Sequence, residues 1–198
     1  MLEIVLATRN KDKIREIKKV LNSLPVKFIS LEGFPHLPKI IEDGRTLKGN
    51  AIKKARIVAK LTGKVALADD SGLEVKALEG APGVYSSRFA GEGCTYADNN
   101  RKLLKLVRNL PQEKRDALFR CVIALAFPEG KVKTVEGIIK GKISHRTIGR
   151  YGFGYDPVFI VPSYGKTFAQ LGPEIKNKIS HRALALQKIK RIITETLC

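Results

Sequence analysis

The chain has 198 residues, 43% of them hydrophobic, and only three cysteines, Cys94, Cys121 and Cys198, spaced too widely for a metal-binding or redox pair. That length and composition fit a single domain over residues 1–198 with a sizeable core and no disulfide scaffold, and no run approaches the roughly 18 apolar residues of a membrane span. The formal net charge of +18 fits a nucleic-acid binder, an ion-rich thermophilic surface or an enzyme of polyanionic phosphates, but the Lys and Arg residues are spread along the chain and form no basic tail.

Met1-Leu2-Glu3-Ile4-Val5-Leu6-Ala7 reads as a buried strand rather than a signal peptide, so a cytoplasmic location is expected. Asn10 is placed to cap a helix in which Ile14, Ile17, Val20 and Leu21 recur at helical spacing. Residues 27–31 read as a second strand, followed by a loop to Pro38. Thr46 is a candidate cap for a helix over 47–61, with Ala51, Ile52, Ala55, Val58 and Ala59 on its buried side and Gly63 closing it. Residues 65–68 form a short buried strand that is expected to end at Asp69-Asp70-Ser71-Gly72.

Residues 80–93, rich in Gly, read as loop, and 96–110 as a helix stopped by Pro111. A long strand over 117–127 shows Phe119, Cys121, Ile123, Leu125 and Phe127 on one face. Pro128-Glu129-Gly130 turns it into a second strand over 132–143. A short strand follows at 158–161, and Ser180 precedes a final helix with Leu184, Ile189, Ile192, Ile193 and Leu197 as its core residues. Strands and helices in this mixed order, with long antiparallel strands in the centre, predict an α/β or α+β fold with a mixed sheet.

Four segments carry candidate chemistry. Thr8-Arg9-Asn10-Lys11-Asp12-Lys13 lies where a strand gives way to a helix, and free backbone N–H groups there attract anions. It is not a Walker A loop, and an ordinary capped helix is the plain alternative. Asp69-Asp70 places two carboxylates together at a buried strand, which is costly unless a cation neutralises them. Magnesium takes one or two carboxylates plus substrate phosphates, and Glu42 is a further candidate ligand. A turn with solvated acids would read the same way.

Gly152-Phe153-Gly154-Tyr155-Asp156-Pro157 combines glycine with aromatic faces, which suits a flat base, though a tight turn has the same composition. Lys176 and Ser180-His181-Arg182 flank a helix start, where cations oppose the helix dipole and so point to an external anion or acceptor.

Taken together and in order, these segments resemble the inosine/xanthosine triphosphate pyrophosphatase family, the house-cleaning nucleotide hydrolases. The markers are Ala7-Thr8-Arg9-Asn10 with Lys13, Glu42-Asp43-Gly44-Arg45-Thr46, Asn50-Ala51 with Lys54-Ala55, Ala68-Asp69-Asp70-Ser71-Gly72-Leu73, Gly80-Ala81-Pro82-Gly83-Val84-Tyr85-Ser86, the Gly152 to Pro157 segment, and Ile179-Ser180-His181-Arg182. The resemblance spans nearly the whole chain.

The resemblance implies a mixed α/β fold with an elongated central sheet, flanking helices and two lobes around an active-site cleft, assembled as a homodimer. It implies magnesium-dependent hydrolysis of ITP, dITP and XTP to the monophosphate and pyrophosphate. Thr8, Arg9, Asn10 and Lys13 would hold the triphosphate, Glu42 and Asp70 the metal, and Lys54 would help neutralise the phosphates. Asp70 would also accept the proton of the attacking water, and Ser71 would contact substrate. Phe153, Gly154, Tyr155 and Asp156 would shape the base site, completed by Lys176, His181 and Arg182. Two residues depart from the family pattern: Gly49 stands where a Glu is frequent, and Arg9 where a Gly is frequent. The rival readings are a pyrophosphatase of similar fold acting on modified pyrimidine triphosphates and a basic nucleic-acid-binding protein. No recognised nucleic-acid module is present, and that second rival leaves the paired acids unexplained.

Overall fold

A computed structural model describes residues 2–197 of the chain. Met1, expected in the first strand, Cys198, and the core side chain expected of Leu197 lie outside the described residues. In chain order the elements are β1 Leu2–Leu6, α1 Lys11–Val20, β2 Val26–Ser30, α2 Leu47–Thr62, β3 Val65–Val75, α3 Tyr96–Val107, β4 Asp116–Ala126, β5 Val132–Ile143, β6 Phe159–Val161, β7 Lys166–Thr167, α4 Phe168–Ile179 and α5 His181–Leu197. The seven strands form one sheet in the order β2-β1-β3-β4-β5-β6-β7. β1 pairs in parallel with β2 and β3, whereas β6 pairs antiparallel with β5 and β7. The sheet is therefore mixed, as expected. Parallel neighbours require crossover connections, which is the topological use of α1 and α2.

The chain divides into two compact units whose boundaries fall inside β3, β4 and β5 and after the first residue of α5. The first comprises residues up to 70, 121–137 and those from 182 onward. Its core gathers Ile4 and Leu6 of β1, Leu67 of β3, Cys121, Ile123 and Leu125 of β4, Ile17 of α1, and Leu186, Ile189 and Ile193 of α5. Each such side chain, removed from water, contributes roughly 1.5–3 kcal/mol. The helix starts follow their sequence signals. Asn10 Oδ1 accepts from the N–H groups of Asp12 and Lys13, and Thr46 accepts from Gly49 N–H. Gly63 closes α2 with φ 64°.

The second unit comprises Ser71–Arg120 and Ile138–His181. Leu73, Val75, Leu103, Val107, Phe119, Ile143, Phe159 and Phe168 fill its core. Phe119 lies 4.6 Å from Phe159 between ring centroids.

Several expectations need correction. β3 does not end at Asp69 but continues through Asp69-Asp70-Ser71-Gly72 to Val75. A β-carbon on Gly72 would stand 2.3 Å from the carbonyl oxygen of Gly83, so this strand position has room only for glycine. In α2, Ile52 is only half-buried while Lys54 is buried. In α5, Leu184 and Ile192 are half-buried, and Ala185 and Leu186 face the core instead. The stretch 168–179, unassigned from sequence, is α4, a helix interrupted by a non-helical backbone at Gly172 (φ 78°) ahead of Pro173.

Candidate functional site

The first unit carries a buried electrostatic cluster built on consecutive residues of β3. Asp69 and Asp70 are both buried, and the alternation of a strand sends their side chains to opposite faces. Asp69 Oδ2 accepts from Lys13 of α1 at 3.1 Å and from Arg182 of α5 at 3.0 Å. Arg182 also donates from Nη1 to Glu16 Oε2 at 2.6 Å. Burial works to raise the Asp69 pKa, but the fields of Lys13, Arg182 and Lys54 overturn it and hold the carboxyl well below its usual range. The same pair raises Lys13 against the opposing effect of its own burial. Asp69 is thus an anion at any physiological pH, wedged between two cations.

Asp70 has a different setting. Burial pushes its pKa up, and this outweighs the opposing fields of Lys54 and Lys13. Lys54 is buried in α2 and donates to the backbone oxygen of Asp69 at 2.7 Å. It also pairs with Glu42 and lies 4.0 Å from Asp70 Oδ1. Two carboxylates from separate segments therefore converge on one ammonium. Asn50, one helical turn before Lys54, accepts from Gly44 N–H at 2.8 Å and so holds the Glu42-Asp43-Gly44 segment.

Asn10 takes the N–H groups of Asp12 and Lys13, the cap expected of it, so these two donors are already used within the strand-to-helix turn. Thr8 Oγ1 accepts from Asn10 N–H at 3.2 Å. Arg9 is exposed and donates to the carbonyl of Leu37 at 3.2 Å.

The second unit brings together a different set. Lys176 of α4 is buried, pairs with Asp156, and stands 4.3 Å from the centroid of the Phe153 ring. Asp156 Oδ2 also accepts from Phe153 N–H at 2.8 Å, which fixes the loop. Tyr155 is buried and donates to the Ser86 carbonyl at 2.9 Å; burial pushes its hydroxyl pKa up. His181 is stacked on Phe119, with centroids 4.5 Å apart and planes 10° off parallel. Ser71 is half-buried at the start of this unit.

Thr8, Arg9, Asn10, Lys13, Glu42, Lys54, Asp70 and Arg182 thus belong to the first unit, and Ser71, Phe153, Gly154, Tyr155, Asp156, Lys176 and His181 to the second. Arg182, expected with Lys176 at the base, donates to Asp69 and Glu16 within the first unit.

Sequence reasoning missed Glu16, the anchoring role of Asp69, and the two asparagines of α3. Asn99 accepts from Ala90 N–H at 2.7 Å, and Asn100 donates to the Gly154 carbonyl at 2.9 Å. Two adjacent asparagines inside a helical pattern are poor helix formers, which was the available signal that their amides are used for tertiary bonds. No such local signal marks Glu16.

Comparison with known proteins gives concordant results. A family model described as Ham1 family matches residues 4–192. The chain is 52% identical over 192 residues to the dITP/XTP pyrophosphatase of Desulforamulus reducens, covering 97% of this chain and 96% of that protein. It is 50% identical to the dITP/XTP pyrophosphatase of Geobacter sulfurreducens over 96% of each chain. Among solved structures it is similar to a HAM1 protein from Coxiella burnetii, with a TM-score of 0.91, 45% identity, and coverage of 99% of this chain and 100% of the other.

Proposed function

The chain belongs to the Ham1 family, and on that premise we propose that it hydrolyses non-standard purine nucleoside triphosphates, dITP, ITP and XTP, to the monophosphate and pyrophosphate. The observation that carries this reading is the pair Asp69-Asp70. One acid is locked as an anion between cations, while its neighbour has a pKa raised by burial and converges with Glu42 on Lys54. A carboxyl with a raised pKa is a better proton acceptor for an attacking water than an ordinary one. Lys13 and Lys54 supply positive charge for a triphosphate.

The residues present also fit a divalent cation. Glu42 and Asp70 are two hard oxygen donors aimed at one positive charge, and magnesium usually takes few protein carboxylates and completes its shell with water and phosphate. Bound there, magnesium would neutralise phosphate oxygens and favour deprotonation of a water. Asp70 would take the proton at its carboxylate, Lys54 would keep both acids aligned, and Thr8 and Asn10 would add neutral polar contacts beside Lys13.

Base recognition falls to the second unit in this reading. Phe153 offers a ring for stacking, and Asp156, Lys176, His181 and the backbone of the Gly152 to Pro157 segment offer the polar groups. Lys176 is a donor only and matches the oxygen that hypoxanthine and xanthine carry where adenine has an amino group. Sites built on such hydrogen bonds reject a mismatch by as much as about 10⁴-fold.

The homodimer and the cytoplasmic location belong to the same proposal. No helix among the described residues is long and apolar enough to cross a membrane. The deciding experiment is a panel of ITP, dITP, XTP, ATP, GTP and methylated pyrimidine triphosphates, with separate detection of pyrophosphate and orthophosphate, with and without excess EDTA. Pyrophosphate release from ITP and XTP far above ATP and GTP, abolished by EDTA, is expected. Orthophosphate as the first product, full turnover in EDTA, or a preference for the pyrimidines would overturn the reading. Light scattering reads the assembly state.

A further inference from the structure

Asn50 is fully buried in α2, where a polar side chain without hydrogen-bonding work would be costly. Its work is visible at the amide oxygen, where Oδ1 accepts from Gly44 N–H at 2.8 Å. The approach to Gly44 is so close that a β-carbon there would stand 2.5 Å from Asn50 Oδ1. Asn50 and Lys54 are four residues apart and therefore neighbours on one face of α2. Lys54 pairs with the Glu42 side chain, while Asn50 holds the backbone two residues further on.

We infer that Asn50 is a positioning residue that clamps the Glu42 to Gly44 segment onto α2 beside Lys54, so that the Glu42 and Asp70 carboxylates meet at one cation position. The inference rests on the reading of Glu42 and Asp70 as metal ligands. Asn50 touches neither cation nor substrate; it acts through the segment that carries Glu42. Partners that orient metal ligands are worth roughly 10–100-fold in affinity when removed. The loop from 31 to 46 contains no α-helix or β-strand that could orient Glu42 by itself, so its backbone is held by the Asn50 amide while Lys54 pairs with its side chain.

The test is the binding of Mn²⁺, standing in for Mg²⁺, followed by electron paramagnetic resonance of the free ion in the presence of tripolyphosphate. Wild type, Asn50→Ala, Glu42→Gln and Asp70→Asn are compared, and each is melted in parallel. Asn50→Ala is expected to weaken Mn²⁺ binding about tenfold, while Glu42→Gln and Asp70→Asn weaken it further. If the two carboxylate variants bind Mn²⁺ like wild type, the metal reading itself fails. If they lose binding and Asn50→Ala does not, the clamp is refuted while the metal reading stands. Should Asn50→Ala not fold, Gly44→Ala reads the same contact from the other side, because its methyl group must displace Asn50 Oδ1. Unchanged Mn²⁺ binding in a folded Gly44→Ala protein would then overturn the proposal.

Discussion

The ammonium of Lys176 stands 4.3 Å from the centroid of the Phe153 ring, held there by its pairing with the buried carboxylate of Asp156. One face of that ring is therefore covered by a cation that the protein itself neutralises. Removing the cation alone strands a buried carboxylate, which typically costs about 3–5 kcal/mol, whereas removing both charges costs far less. Lys176→Met is accordingly expected to destabilise the fold more than the double change Lys176→Met with Asp156→Asn. Urea unfolding of the three proteins checks this. A double variant no more stable than the single would show that the pair is not energetically coupled.

Asp69 predicts a pH-dependent stability. Its folded pKa is held below the ordinary carboxylate value by Lys13 and Arg182 despite burial, so its stabilisation is complete above an unfolded pKa of about 3.9. That stabilisation is lost as pH falls from there toward the folded value. Asp69→Asn is expected to lose roughly 3 kcal/mol near neutrality, because two buried cations lose their shared anion. The gap from wild type should narrow as unfolding is repeated from pH 6 down to pH 3. A gap that stays constant over this range would place the Asp69 contribution outside its charge.

Asp70→Asn is nearly isosteric and removes both the proposed hard metal ligand and the proposed proton acceptor. Turnover of ITP is expected to drop by at least about 10²–10⁴-fold, with a melting temperature close to that of wild type or above it, since burial disfavours the Asp70 anion. Retained turnover would exclude Asp70 as the central acid.

Gly49 occupies the third position of α2, with its N–H capped by Thr46. A Glu there would complete the reciprocal capping bond to Thr46 N–H, and glycine in a helix costs roughly 1 kcal/mol relative to a good helix former. The Thr46 hydroxyl lies 3.1 Å from the site of the new β-carbon and is exposed enough to yield. Gly49→Glu is expected to raise the melting temperature by about 2–4 °C without loss of activity. The Glu frequent at this position in relatives would on this view serve the helix start; a gain in Mg²⁺ affinity with no gain in stability would instead assign it to the metal.

Cys121 is fully buried in β4, and burial pushes its thiol up to about 12. At pH 8 it stays protonated and enclosed, so iodoacetamide should leave it unmodified in the native protein and label it after denaturation. Peptide mass spectrometry distinguishes the two states, and native labelling of Cys121 would show that β4 opens.

Much of this fold could be read from local pattern. β5 runs over Val132–Ile143, as its alternation and the preceding Pro-Glu-Gly turn predicted, and Asn10 and Thr46 cap the helices they were assigned to. Local pattern failed where a residue's chemistry speaks for one structure and its surroundings enforce another. Asp and Gly are turn formers, so Asp69-Asp70-Ser71-Gly72 read as a strand end, although buried cations and a close backbone approach keep it extended. Gly172-Pro173 hid α4 by breaking its periodicity. The charges of the candidate site could be named from the sequence, but their pairing was not legible. Arg182 meets Glu16 across a separation of 166 positions, and no short-range rule connects them.

The registry of β1 on β3 sets Ile4 beside Val65, Val5 beside Ala66 and Leu6 beside Leu67. Because a strand alternates its faces, a slip by a single residue would send Asp69 and Asp70 each to the other face. With Asp70 moved into the place of Asp69, the proposed reacting acid would be locked between Lys13 and Arg182, and Ser71 would stand opposite Glu42 and Lys54. Such a slip would keep every residue of the site in the neighbourhood and still abolish its asymmetry. The apolar run from Ile4 to Ala7 is thus a reading frame for catalysis: it fixes the phase in which two identical side chains acquire opposite tasks.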